Sequence, residues 1–182
     1  MTTPRDRLLD AAGELFYREG VGVGVDALCK AAGVSKRSMY LLFDSKDELI
    51  AASLDRRAPD YDAALLPRDG GTPRERVLHV FRAQDDLAGR PGYRGCPLVA
   101  TATELKDVDH PANAVARRHK QGLTDFFAAE LRAAGAADPG TLAAQLTVVF
   151  DGAAARAVVR AEPLGGLGVA TATALLDAAG VT

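Results

Sequence analysis

The run from Val25 to Phe43, VDALCKAAGVSKRSMYLLF, decides the fold. At helical period it reads as a short helix, a break at Ala32-Gly33-Val34-Ser35, and a second short helix. Gly33 stands where the first helix must stop, and glycine enters the left-handed region at a helix C-terminus without a Cβ clash. Ser35 can then cap the second helix by accepting from its unpaired N–H groups. Two helices joined by so short a turn form a helix-turn-helix, and an α-helix fits the DNA major groove.

Helical spacing puts Met39 and Phe43 on one inward side of the second helix. Arg37, Ser38 and Leu41 fall on the opposite arc, flanked by Lys36, Tyr40 and Leu42. A guanidinium suits guanine edges, a hydroxyl mixed edges, and a branched alkyl group a thymine methyl. Taken alone, the same pattern also describes an ordinary surface helix with solvated charges.

The longer run AAGVSKRSMYLLFDSKDELI, set behind an amphipathic first helix, resembles the N-terminal domain of the TetR family of bacterial transcriptional regulators. The residues that carry the resemblance are Ala32-Gly33-Val34-Ser35, Tyr40, Phe43 and Ser45-Lys46-Asp47-Glu48-Leu49. The chain departs from the family pattern at Val23 and Gly24, where Thr or Ser is usual, and at Leu42, often His. The resemblance implies an all-α protein. A three-helix helix-turn-helix DNA-binding domain would occupy residues 1–57, and a helical ligand-binding and dimerisation domain residues 73–182. It implies phosphate contacts from the Tyr40 hydroxyl and the Lys46 ammonium. With the outward arc, the DNA-binding set is Lys36, Arg37, Ser38, Tyr40, Leu41 and Lys46. Lys46 sits at a helix N-terminus, a poor place for a cation unless a phosphate lies nearby.

Composition fits a soluble helical protein: 182 residues, 48% hydrophobic, 25% charged, no Trp. A net charge of −2 does not itself point to nucleic acid. Residues 1–57 hold 9 Lys and Arg against 9 Asp and Glu, so local placement carries the DNA argument. The charged Met1–Leu9 stretch lacks a signal-peptide core, and no uncharged apolar run reaches membrane-spanning length. Two cysteines give neither a disulfide framework nor zinc spacing. The expected location is cytoplasmic, with no membrane partner.

The first helix is expected over Pro4–Arg18, with Leu8, Ala12, Leu15 and Phe16 inward. A fourth runs from Ser45 to about Arg57, opened by a Ser45/Glu48 capping box. Ala58–Thr72, with two prolines and Asp69-Gly70-Gly71, reads as a break. Beyond it, helices are expected over Pro73–Leu87, Cys96–Lys106, Ala112–Ala134, Gly140–Arg160 and Gly166–Ala179. In the last two, Leu142, Leu146, Val149, Phe150, Ala153 and Ala157 form one stripe, while Val148, Gly152, Ala155 and Val159 lie off it. No charge separates Glu162 from Asp177. Helices apolar on more than one side need a second cover, so a homodimer is expected, with Leu146, Phe150, Ala153, Ala157 and Leu176 as its candidate contacts.

Gly95-Cys96-Pro97-Leu98, Glu104-Leu105, His110-Pro111 and His119-Lys120 also resemble a TetR subgroup. This implies a ligand pocket enclosed by the middle helices, with Phe81, Tyr93, Leu98, Thr101, His119 and Phe126 as candidate ligand-binding residues. Glu104, Asp107 and His110 read better as solvated groups than as a metal site, since a turn separates the histidine. Cys96 at a helix start is either a packed thiol or a redox sensor. No catalytic triad, phosphate loop or H-E-x-x-H appears, so no enzyme, cofactor or metal is expected. The functional expectation is a ligand-responsive regulator, with repression as the default sign, binding double-stranded operator DNA as a homodimer released by a small-molecule effector. The alternatives are an activator of the same family, or a small-molecule binding protein without DNA activity.

Overall fold

The computed structural model describes residues 2–182. Among them are nine α-helices and no strand: α1 Pro4–Glu19, α2 Val25–Ala32, α3 Lys36–Leu42, α4 Lys46–Leu65, α5 Pro73–Ala88, α6 Pro97–Leu105, α7 Pro111–Ala133, α8 Pro139–Arg160 and α9 Leu167–Ala178. The chain divides into two compact units. One is Met1–Pro59 with Pro97–His119, the other Asp60–Cys96 with Lys120–Thr182. The middle of the chain thus returns α6 and the start of α7 to the unit that holds the helix-turn-helix.

In the first unit Leu8, Ala12, Leu28, Met39, Phe43 and Leu49 are buried to near completeness. The acidic edge of α1 holds α4: Arg56 donates to Asp10 at 2.8 Å and to Asp6 at 2.9 Å. Gly13 lets the Arg57 stem lie close on α1, where a Cβ would come within 2.4 Å of Arg57 Cδ. Thr3 and Asp6 form a reciprocal cap at the start of α1. A Thr-x-x-Asp signal marks that start in the sequence.

In the second unit Phe81 stacks on Phe127 at 5.8 Å and meets Phe150 edge-on at 6.2 Å. Around them pack Val77, Leu131, Leu142, Leu146, Ala172 and Leu176. Gln84 is buried there and donates through Nε2 to the Phe150 carbonyl at 2.7 Å. A second reciprocal cap, Thr72 with Glu75, opens α5. Asp138 opens α8 by accepting from the Thr141 N–H at 3.1 Å.

Two expectations change. The break foreseen at Ala58–Thr72 begins later, because α4 continues through Pro59 to Leu65. A mid-helix proline costs about 3 kcal/mol, and burial of Leu65, with Tyr61 packed on the same core, offsets it. The stripe Leu146, Phe150, Ala153, Ala157 and Leu176 is buried inside the chain's own second unit. Periodicity reports that a face is covered, not which molecule covers it, so these residues belong to the subunit core. α8 is long and apolar enough to pass for a membrane span, although it carries Asp151 and Arg156. It packs as a core helix on α5 and α9.

Candidate nucleic-acid interface

The helix-turn-helix is built by local hydrogen bonding. Gly33 adopts φ 63°, ψ 41°, while the Val34 N–H reaches the Cys29 carbonyl at 3.0 Å and the Gly33 N–H reaches that of Lys30 at 3.3 Å. This paired closure satisfies the last carbonyls of α2. Ser35 accepts from the Ser38 N–H at 3.0 Å, so α3 starts three residues beyond the glycine. The Arg7 guanidinium donates to the Ala32 carbonyl at 3.1 Å, tying α1 to the turn. Arg5 lies 5.1 Å over the Phe43 ring. At the start of α2, Gly24 is extended and caps without a side chain.

With Met39 and Phe43 buried, α3 turns its remaining faces outward. Leu41 is 77% exposed and Tyr40 53%, although both carry large apolar groups. Lys36 and Arg37 are exposed beside them, and Ser38 is half-buried with its hydroxyl 2.9 Å from that of Ser35. Lys46 opens α4, half-buried. There the Ser45 hydroxyl accepts from the Glu48 N–H at 3.1 Å, and the Glu48 carboxylate turns back to the Asp44 N–H. The reciprocal bond thus reaches one residue further back than the Ser45/Glu48 spacing foresees.

Most cations of this unit's helix-turn-helix region are already engaged. Arg56 and Arg57 bind carboxylates on α1, Arg18 binds Glu19, and Lys36 binds Asp26 at 2.9 Å. Arg37 and Lys46 have no ion-pair partner among the described residues. Cys29 is buried in the same unit, and desolvation, then the Asp26 charge, push its thiol above the usual range. That disfavours thiolate and leaves it a packing residue.

The candidate ligand residues divide between the two units. Phe81, Tyr93 and Phe126 belong to the second, where Phe81 is fully buried and Phe126 lies 5.8 Å from Phe127. Leu98, Thr101 and His119 belong to the first. There Leu98 is buried, and His119 Nε2 sits 3.2 Å from Asp55, which Arg118 also engages. Cys96 is buried in the second unit. His110, weighed above against a metal role, instead caps α7. Its Nδ1 accepts from the Ala112 N–H at 3.1 Å, which places the proton on Nε2, 3.4 Å from Asp47. The sequence signal for this cap was its position immediately before Pro111.

On α8 the exposed residues Ala144, Val148, Gly152, Ala155 and Val159 form a second stripe, edged by exposed Gln145, Arg156 and Arg160. Val159 is 83% exposed and Val148 72%. Leu167, Ala170 and Ala174 are exposed on α9.

Residues 8–53 match the pattern of the bacterial regulatory proteins of the tetR family. An HTH-type transcriptional regulator of Mycobacterium tuberculosis, MT1294, itself uncharacterized, is 36% identical over 76 residues. That match covers 40% of this chain and 38% of the relative's length. The crystal structure of a protein from Streptomyces avermitilis assigned to the TetR regulators is 55% identical, with a TM-score of 0.95 over 99% of this chain and 100% of that one. SCO4454, a TetR-family transcriptional regulator from Streptomyces coelicolor, is 28% identical, with a TM-score of 0.85 over 97% and 95% of the two chains.

Proposed function

The chain belongs to the TetR family of bacterial transcriptional regulators, and from that premise we propose that it is a repressor which binds a palindromic operator as a homodimer and is released by a small molecule. The observation that carries the DNA part is the outward arc of α3. Arg37 stands there without an acidic partner, beside Leu41, an apolar side chain that folding leaves in water. Solvation gives no reason to expose it, whereas contact with a thymine methyl does.

In this reading Arg37, Ser38 and Leu41 address base edges, Tyr40 and Lys46 hold phosphates, and Lys36 flanks them. Residues 1–57 serve as the reading head and residues 73–182 as the ligand-holding and dimerising body. The exposed stripe Val148, Gly152, Ala155 and Val159 supports a second copy as the cover of α8, since small residues let two helix backbones approach closely. Of the candidates in the second unit, Tyr93 and Phe126, neither fully buried, are the preferred ligand contacts. A dimer reads two half-sites at a fixed spacing, so a ligand that changes the separation of the heads uncouples them from the operator. The protein then works in the cytoplasm, beside the chromosome.

The test is titration of purified protein against the DNA flanking its own gene, followed by footprinting. A protected inverted repeat that overlaps the promoter is expected. Protection upstream of the promoter with stimulated transcription would assign activation instead, and a folded protein that binds no duplex would remove the DNA role.

A further inference from the structure

We propose that Asp26 is a specificity-determining residue of the reading head, whose carboxylate holds the Lys36 ammonium and so lowers affinity for DNA of any sequence. The inference rests on the DNA-binding reading above. Asp26 Oδ1 lies 2.9 Å from Lys36 Nζ, across the turn between α2 and α3, and both side chains are more than half exposed. An ion pair so open to water adds little to stability, so folding does not explain it. Hydrogen bonding to Asp26 is also the largest cause of a Lys36 pKa raised above the ordinary lysine value.

Two further facts give the pair a consequence for DNA. First, the head is neutral over residues 1–57, with 9 cations against 9 acids, so its attraction to a polyanion depends on which cations are unengaged. Arg18, Arg56 and Arg57 are tied to acids of their own unit, and Asp26 removes Lys36 from the remainder. Second, Lys36 is the first residue of α3, next to the base-reading Arg37, so a free ammonium there would strengthen phosphate contacts made on every sequence alike. Phosphate contacts raise operator and random DNA together, whereas specificity is their ratio. A carboxylate within reach of the phosphates opposes both this ammonium and the backbone itself.

The prediction concerns sequence-independent binding, and no operator is needed to test it. Full-length wild type, Asp26→Asn, Asp26→Ser and each of these combined with Lys36→Ala are titrated against a labelled 30-base-pair duplex of random sequence by fluorescence anisotropy. Salt is varied from about 50 to about 200 mM. Serine is favoured near helix N-termini, and circular dichroism checks that every variant keeps its fold. Both single variants are expected to bind more tightly at low salt. Their log–log salt slope should steepen by roughly 0.9 for each head engaged, equivalent to about 3.5-fold over that salt range. The gain should disappear when Lys36 is alanine. Wild-type slopes in both single variants would overturn the proposal. So would an equal gain with and without Lys36, since the carboxylate would then act by bulk charge alone. Weaker binding by the variants would overturn it as well, and would favour Asp26 as a direct DNA contact. If wild type shows no salt-dependent binding to any duplex while Arg37→Ala and Lys46→Ala behave identically to it, the DNA reading itself fails, and this inference falls with it.

Discussion

Helices α3 and α8 both leave apolar side chains in water, yet their surroundings differ. On α3, Leu41 and Tyr40 stand among Lys36 and Arg37 within seven residues. On α8, Val148 and Val159 line up with Ala144, Gly152 and Ala155, with exposed Gln145 and Arg156 at the edge of that face, and the stretch between Glu162 and Asp177 carries no charge at all. An apolar group set among cations addresses a polyanion with methyl groups on its edges, which is duplex DNA. An apolar stripe of small residues addresses another stripe of the same kind. Exposure alone is thus uninformative, and the chemistry beside the exposed group tells the two surfaces apart.

The comparison can be broken first at the core beneath α8. Phe150 is fully buried against Phe81. Phe150→Ala should cost about 3–5 kcal/mol of stability, measured by urea unfolding, and a loss below 1 kcal/mol would contradict the packing described. The exposed stripe is the sharper test. Val148→Glu with Val159→Glu should split the proposed dimer while each subunit keeps its helicity, because these side chains are largely exposed on their own subunit. Sedimentation at micromolar concentration reads the outcome, and an unchanged dimer would place the interface elsewhere. Ala153→Glu is the instructive contrast. It buries a carboxylate beside Leu164, so it should unfold the body as well as separate the copies.

Smaller effects are expected at the caps. Ser35→Ala removes the acceptor for the Ser38 N–H and should cost about 1 kcal/mol, with sequence-specific DNA binding lost before global folding. The smallest effect is at α5, where Glu75 accepts from the Thr72 backbone. That hydrogen bond, first, and the Thr72 hydroxyl, second, hold its carboxyl below the usual value of 4.5. Because the folded pKa is the lower one, the contribution is complete above about pH 4.5 and lost as pH falls through the folded value. Glu75→Gln should therefore flatten the acid limb of the melting-temperature profile and leave it less changed in shape near neutrality. Identical acid limbs would remove the cap from the account.

These regions also differ in how readily the sequence yields them. Gly33 and Ser35 act within a few residues of themselves, so the turn, the start of α3 and its inward Met39 and Phe43 follow from local chemistry. The Thr3/Asp6 and Thr72/Glu75 caps carry an equally local signal in their spacing. Pro59 is the opposite case, since its local penalty is offset by the packing of Tyr61, Leu65 and Leu66 on a core formed by residues far along the chain. The Leu146–Ala157 stripe was legible as buried, but its partners α5 and α9 were not, because a hydrophobic period does not say what it faces. His119 likewise carries no local signal for Asp55, 64 residues away.

The central claim is that α3 reads bases while the residues around it hold the backbone. The direct measurement is the affinity of wild type, Arg37→Ala and Lys46→Ala for the flanking-gene operator and for a scrambled duplex, at matched salt. Arg37→Ala should lose about 1–3 kcal/mol on the operator only, and relax preference at one position per half-site. Lys46→Ala should weaken both duplexes alike and lower the salt slope by roughly one unit. An equal loss on operator and scrambled DNA for Arg37→Ala would contradict the account.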